Sequence, residues 1–202
     1  MIILIISALV IGIVLGYFSL IPSFLLSNID FIITALLMIL LFVVGFESGS
    51  NKKIIKDMKK YGIKILLIPF AVMIGSIAFS AAAVLFFNLN LFESFAIGAG
   101  VGYYSLSSII ITQLLNSELG VIAFLANIIR ETLTITMAPL LVRFFGKLSP
   151  VASAGATSMD TSLGVIREYT NAETAFIAVL SGIILTIAVP ILVTLFCNMA
   201  II

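Results

Sequence analysis

Asn127, Arg130, Glu131 and Thr134 interrupt an apolar run at i, i+3, i+4 and i+7, the spacing of one helix face. An ionised side chain at the centre of a bilayer costs about 2.5 to 3.5 kcal/mol on insertion scales, so such residues face a cavity or a partner. The same stripe would serve a static ion pair with a neighbouring helix. Adjacent helical residues do not face one another, so Arg130 and Glu131 are expected to have different partners. A second candidate, Asp160, stands among Thr157, Ser158, Thr161 and Ser162. Hydroxyls and half-helix backbone groups there suit a cation or an amino acid, and Asp160 equally suits the N-cap of the helix that follows.

Carboxylates carry whatever acid–base chemistry there is, because histidine is absent and Cys197 is the only thiol. That removes disulfide frameworks, His/Cys metal sites and Ser-His or Cys-His catalysis. An aspartyl protease would need a second deep aspartate, and the chain has none. The glycines at 98, 100 and 102 are not a nucleotide fingerprint, since no strand precedes them and no P-loop lysine follows. No enzyme activity, no cofactor and no metal are expected.

The elements that position these residues are membrane spans. Hydrophobic residues make up 62% of the 202 and charged ones 9%, whereas a soluble domain carries roughly 25% charged residues to face water. The net charge of +1 offers no field for nucleic acid. A span needs about 20 apolar residues. Met1 to Phe18 qualifies, reads as a retained first span without a cleavage site, and carries Gly12 and Gly16 as a small-xxx-small face for a neighbouring helix or as glycines tolerated toward lipid. Phe31 to Phe46 is a second, shorter span, Ile65 to Phe87 a third, Gly120 to Phe145 a fourth and Thr174 to Cys197 the last. Glu47, Glu93, Glu118 and Glu173 lie at span ends, where solvation is the ordinary role.

Two stretches do not read as straight spans. Within 94–117, Gly98, Gly100 and Gly102 followed by Tyr104, Ser105, Ser107 and Ser108 predict a break, each glycine costing about 1 kcal/mol relative to alanine in a helix. Whether this stretch crosses once or re-enters stays open. Within 148–166, Ser149-Pro150 predicts an N-cap with proline first in the helix, and 157–162 is too polar for lipid. Irregular backbone at membrane depth persists only where protein buries it or a watery cavity needs it. Kinked spans would be the plainer reading of both. The expected fold is an all-α integral membrane protein, a single transporter domain over 1–202. It has about five full transmembrane helices plus two broken or re-entrant elements, an inverted-repeat transporter architecture. Lys52, Lys53, Lys56, Lys59, Lys60 and Lys64 crowd the loop 51–64 and place it, with the N-terminus, in the cytoplasm and the C-terminus outside.

Three segments in order, Gly100-Val-Gly102-Tyr103-Tyr104-Ser105-Leu106-Ser107, then Gly120-Val-Ile-Ala123-Phe124-x-x-Asn127-x-x-Arg130-Glu131, then Gly155-Ala156-Thr157-Ser158-Met159-Asp160, resemble the signatures of the bacterial lysine exporter family, LysO. The resemblance runs from about Phe31 to the C-terminus. It implies export of L-lysine and of toxic lysine analogues across the inner membrane of a prokaryote, with Glu131 as the titratable intramembrane acid. Longer members bear extra N-terminal segments, so a homodimer or a small partner subunit would complete the transporter. Some members also have an acid after the asparagine, where Ile128 stands here. Lysine presents two ammonium groups and one carboxylate, each needing a buried partner. Glu131 and Asp160, with Thr157 and Ser158, suit the amines. Arg130 or the amides around Gly100 and Gly102 suit the carboxylate, and Asn127, Tyr104, Ser105 and Ser107 complete the substrate-binding candidates. Sodium or potassium exchange for protons uses similar parts, and a membrane scaffold that transports nothing is the alternative from another class.

Overall fold

The computed structural model describes residues 66–87 and 89–201 together with scattered positions between 7 and 46. The expectations for the basic loop 51–64 and for most of the first two spans lie outside the described residues. Gly12 and Gly16 are described, and nothing lies within 4 Å of a Cβ built on either.

The described residues are helical without strands. Helix α1 (Leu67–Ser80) keeps Pro69 in its first turn, where no helical N–H is lost, and tightens into a 3-10 turn over Ala81–Leu85. Helices α2 (Leu91–Gly98) and α3 (Tyr104–Leu114) flank a break. Helix α4 (Ser117–Phe145) is followed by α5 (Ser149–Ala154), a 3-10 turn over Gly155–Met159, α6 (Leu163–Tyr169) and α7 (Ala172–Ile201). Leu67–Leu85, α4 and α7 are each long and apolar enough to cross a membrane. Side-chain oxygens of Asn90, Asn116 and Asn171 accept backbone N–H groups at the starts of α2, α4 and α7, each satisfying a donor the helix leaves unpaired. The proline signal at α5 is displaced by one residue. Leu148 is the N-cap, and the Ser149 hydroxyl donates to Gly146 O at 2.7 Å instead of capping the helix.

Each broken stretch consists of two short helical arms joined at an irregular tip, a hairpin in outline. The two arms of the first belong to one end of the bundle: Phe95 of α2 meets Phe196 near the close of α7, ring centres 5.5 Å apart, and α3 runs straight into the start of α4. The second belongs to the other end, because Val151 and Ala154 of α5 and Leu163 and Ile166 of α6 share a core with Ala175 and Ala178 at the start of α7. At 1.5 Å per residue, arms of this length reach only about a third to a half of a roughly 30 Å hydrocarbon layer. The order hairpin then long helix thus occurs twice, and α4 and α7 run in opposite directions.

The tips of the two hairpins meet. Ala156 N donates to Val101 O at 2.9 Å, and the backbone there takes left-handed angles at Val101 (φ 39°), Gly102 (φ 91°) and Gly155 (φ 66°). A β-branched residue in that region is strained, by about 1–3 kcal/mol. Glycine is required beside it. A Cβ on Gly102 would sit 2.6 Å from Ala154 O, and one on Gly155 would strike Val101 O. Helix α7 passes behind at Gly182, where a side chain would collide with Met159.

Candidate functional site

The polar stripe of α4 is the seam between the two tips. Asn127 is buried; its Oδ1 accepts Gly102 N at 2.7 Å and its Nδ2 donates to Ala123 O at 2.9 Å. Gly100 leaves room for that amide, since a Cβ there would lie 2.6 Å from Asn127 Nδ2. One turn on, Arg130 turns to the second hairpin. Its Nε donates to Ser153 O at 2.7 Å, Nη2 to Ala152 O at 3.0 Å and Nη1 to Ser76 Oγ at 3.0 Å. Ser76 in turn donates to Gly98 O, the last carbonyl of α2, at 2.8 Å. With Gly155 N on Val151 O and Thr157 Oγ1 on Ala154 O, the last four carbonyls of α5 all have donors, which is what a buried helix end requires. Thr134 adds a hydroxyl contact to Ser153 Oγ at 2.6 Å.

Glu131 points elsewhere, and its Oε1 accepts a hydrogen bond from the Thr161 hydroxyl. The same hydroxyl lies 3.2 Å from Asp160 Oδ1, which also accepts Thr161 N at 2.6 Å. Two carboxylates, one from a continuous helix and one from a hairpin tip, are therefore joined through one O–H. Asp160 is not the cap of α6; Ser162 occupies that position and no side chain caps the helix. Arg130 pairs with neither carboxylate, its donors going to Ser153 O, Ala152 O and Ser76 Oγ.

Asp160 and Thr161 border a cavity of about 150 Å³ that is also lined by Gly102, Tyr103, Tyr104, Ser105 and Thr157, with Thr161 at its exposed edge and Thr186 contributed by α7. The Tyr104 ring packs edge-on against Phe124 at 5.7 Å, and its phenol is close enough to interact electrostatically with Glu131 and Asp160. Helix α3 starts here without a side-chain cap. Its first N–H groups, at Tyr104 and Ser105, carry the positive end of the helix dipole toward the cavity. The arrangement offers two carboxylates for cationic groups and a bare helix N-terminus for an anionic one.

Of the residues singled out from the sequence, Asp160, Thr157, Gly102, Tyr104 and Ser105 line this cavity, and Glu131 is joined to its edge through the Thr161 hydroxyl. Arg130, Asn127 and Gly100 are not among its lining residues; Arg130 and Asn127 instead edge a separate, mainly apolar cavity of about 770 Å³ against α1. Ser158 faces α7, donating to Ala178 O at 2.9 Å. Ser107 is fully buried and its hydroxyl has no partner among the described residues. Thr161 and Thr186 are the members the sequence reading left out. Thr161 was visible only as one hydroxyl among four, and Thr186 as a lone threonine in an apolar span.

A sequence profile described as lysine exporter LysO matches residues 6–197. The protein named lysine exporter LysO from Escherichia coli K12 is 29% identical over 162 residues, covering 79% of this chain and 53% of that protein. The alignment thus spans about half the length of the Escherichia coli relative. A Haemophilus influenzae protein named "Putative lysine exporter" is 28% identical over 197 residues, covering 94% of this chain and 95% of its own. No solved structure matches the chain significantly. The spans make it a multi-pass membrane protein, and with the profile covering nearly its whole length, the chain belongs to the lysine exporter LysO family.

Proposed function

We propose that this protein exports L-lysine in exchange for entering protons, with lysine analogues as further cargo. The observation that carries the reading is the pair of carboxylates, Glu131 and Asp160, sharing Thr161 at a cavity that also receives the uncapped start of α3. The ammonium groups of lysine match the carboxylates, and its carboxylate matches the N–H groups of Tyr104 and Ser105. Without histidine the proton must ride on a carboxylate. Glu131 fills that role, and a protonated Glu131 no longer attracts an ammonium group, so lysine and proton compete. Arg130, whose donors are engaged by Ser76, Ala152 and Ser153, positions the hairpins.

Ligand-dependent stabilisation tests the substrate. A ligand at a hundred times its Kd raises folding stability by about 2.7 kcal/mol, so L-lysine is expected to raise the Tm of the purified protein while sodium and potassium leave it unchanged. Stabilisation by sodium or potassium alone would favour the cation antiporter.

The orientation follows from charge. Arg143 and Lys147 sit at the end of α4 where α5 and α6 return, and Arg167 lies on α6. The positive-inside bias makes that end cytoplasmic. In intact cells carrying Cys197→Ala, a cysteine at Lys147 is expected to resist an impermeant thiol reagent and one at Leu89 to react. The reverse pattern would invert the topology.

A further inference from the structure

We propose that the Thr161 hydroxyl is a relay that reports the charge of Glu131 to Asp160, so that one proton switches both carboxylates. The inference rests on the lysine–proton exchange reading. Its geometric basis is that a single O–H stands between two carboxylate oxygens, donating to Glu131 and lying 3.2 Å from Asp160 Oδ1. A hydroxyl has one proton to give and lone pairs to receive another. While Glu131 is ionised, Thr161 donates to it, and Asp160 is free to hold an ammonium group. When a proton from water forms an O–H bond on Glu131, that new O–H donates to Thr161 Oγ1. The Thr161 O–H then turns to Asp160 Oδ1, adding a second donor there beside Thr161 N and weakening the hold of that carboxylate on an ammonium group. No covalent bond of Thr161 changes, and loss of the proton from Glu131 restores the first arrangement.

Among the described residues the titratable and charged groups near the relay are few. Helix α4 contributes Glu131, with Arg130 turned away to Ser76, Ala152 and Ser153. The hairpin tip contributes Asp160, α3 contributes the phenol of Tyr104, and α7 contributes the non-titrating Thr186. Helix α6, which follows the tip, carries Arg167 and Glu168. Asp160 Oδ1 is already oriented for the relay by Thr161 N at 2.6 Å.

The test is the ratio of the lysine Kd at acid pH to that at neutral pH, measured on the purified full chain by calorimetry. A hydrogen bond to a charged group is worth enough to change an equilibrium about tenfold. Thr161→Val keeps the shape and removes the hydroxyl; its ratio is expected to be about tenfold smaller than that of the unsubstituted protein. Thr161→Ser is expected to keep the full ratio. Asp160→Asn is expected to shrink the ratio by the same factor as Thr161→Val, with no further loss in the double variant, because both cut one link. An unchanged ratio in Thr161→Val overturns the relay, as does additive loss in the double variant. An unchanged ratio in Asp160→Asn overturns it even where the valine variant does not fold. Absence of lysine binding to the unsubstituted protein overturns the exporter reading itself, whereas lysine binding with either unchanged ratio overturns the relay alone.

Discussion

Glu131→Gln is expected to abolish proton-driven lysine efflux, down to the rate of empty liposomes, while the protein still inserts and purifies. Glutamine matches the side chain in size and keeps an oxygen for the Thr161 hydroxyl, so the hairpin tip has no reason to move. What it lacks is the charge that attracts ammonium and the site that takes a proton. The energetic demand on that site is large. Moving a cation out of a cell that is negative inside costs about 2.3 kcal/mol per charge per 100 mV, and entering protons offset this only if one group alternates between proton and lysine. Asp160→Asn differs in kind. It removes one ammonium partner, which lowers lysine affinity roughly tenfold or more, but leaves proton competition at Glu131 and hence a residual pH-driven flux. Reconstituted variants assayed for labelled lysine under an imposed pH gradient separate the two; normal efflux by Glu131→Gln would show that the proton is carried elsewhere.

Arg130→Gln is expected to lose the folded protein before it loses affinity. Three donors of the guanidinium serve Ser153 O, Ala152 O and Ser76 Oγ. Removing them leaves buried acceptors unpaired at about 1–3 kcal/mol each, against a total stability of about 5–15 kcal/mol for an ordinary domain. The damage spreads, because Ser76 also holds Gly98 O at the end of α2. Both hairpins therefore loosen together. The variant is expected to show a markedly lower Tm, with the lysine Kd of the surviving folded fraction unchanged. Arg130→Lys recovers only part of the stability, since an ammonium cannot span three acceptors with the geometry of a planar fork. A lowered lysine affinity at unchanged Tm would instead make Arg130 a direct partner of the substrate carboxylate.

The elements were legible where local chemistry decides them. Alternating glycines at 98, 100 and 102 announced the first break, and the hydroxyl-rich run around Asp160 announced the second, because neither composition suits a helix in lipid. The stripe on α4 was legible for the same reason, through helical spacing. What spacing does not contain is the identity of partners across elements. Nothing local distinguishes Thr161 from Thr157, Ser158 or Ser162 as the hydroxyl that reaches Glu131; the 3-10 turn over Gly155–Met159 decides it by turning Ser158 to Ala178 O and Thr157 to Ala154 O. The partners of Arg130 were equally hidden, since two of them are backbone carbonyls, which every residue carries. The contact between Val101 O and Ala156 N depends on two hairpins meeting from opposite ends, a long-range fact that no window of sequence encodes.

Lysine and protons are proposed to cross in opposite directions, an exchange through the site shared by Glu131 and Asp160. Proteoliposomes loaded with labelled lysine and a pH-sensitive dye, then placed in acidic or pH-matched buffer, test it most directly. Rapid lysine release with acidification of the lumen is expected only under the imposed gradient, and neither movement is expected with Glu131→Gln. Lysine release that ignores the gradient, or proton entry coupled to sodium or potassium with no lysine movement, would contradict it.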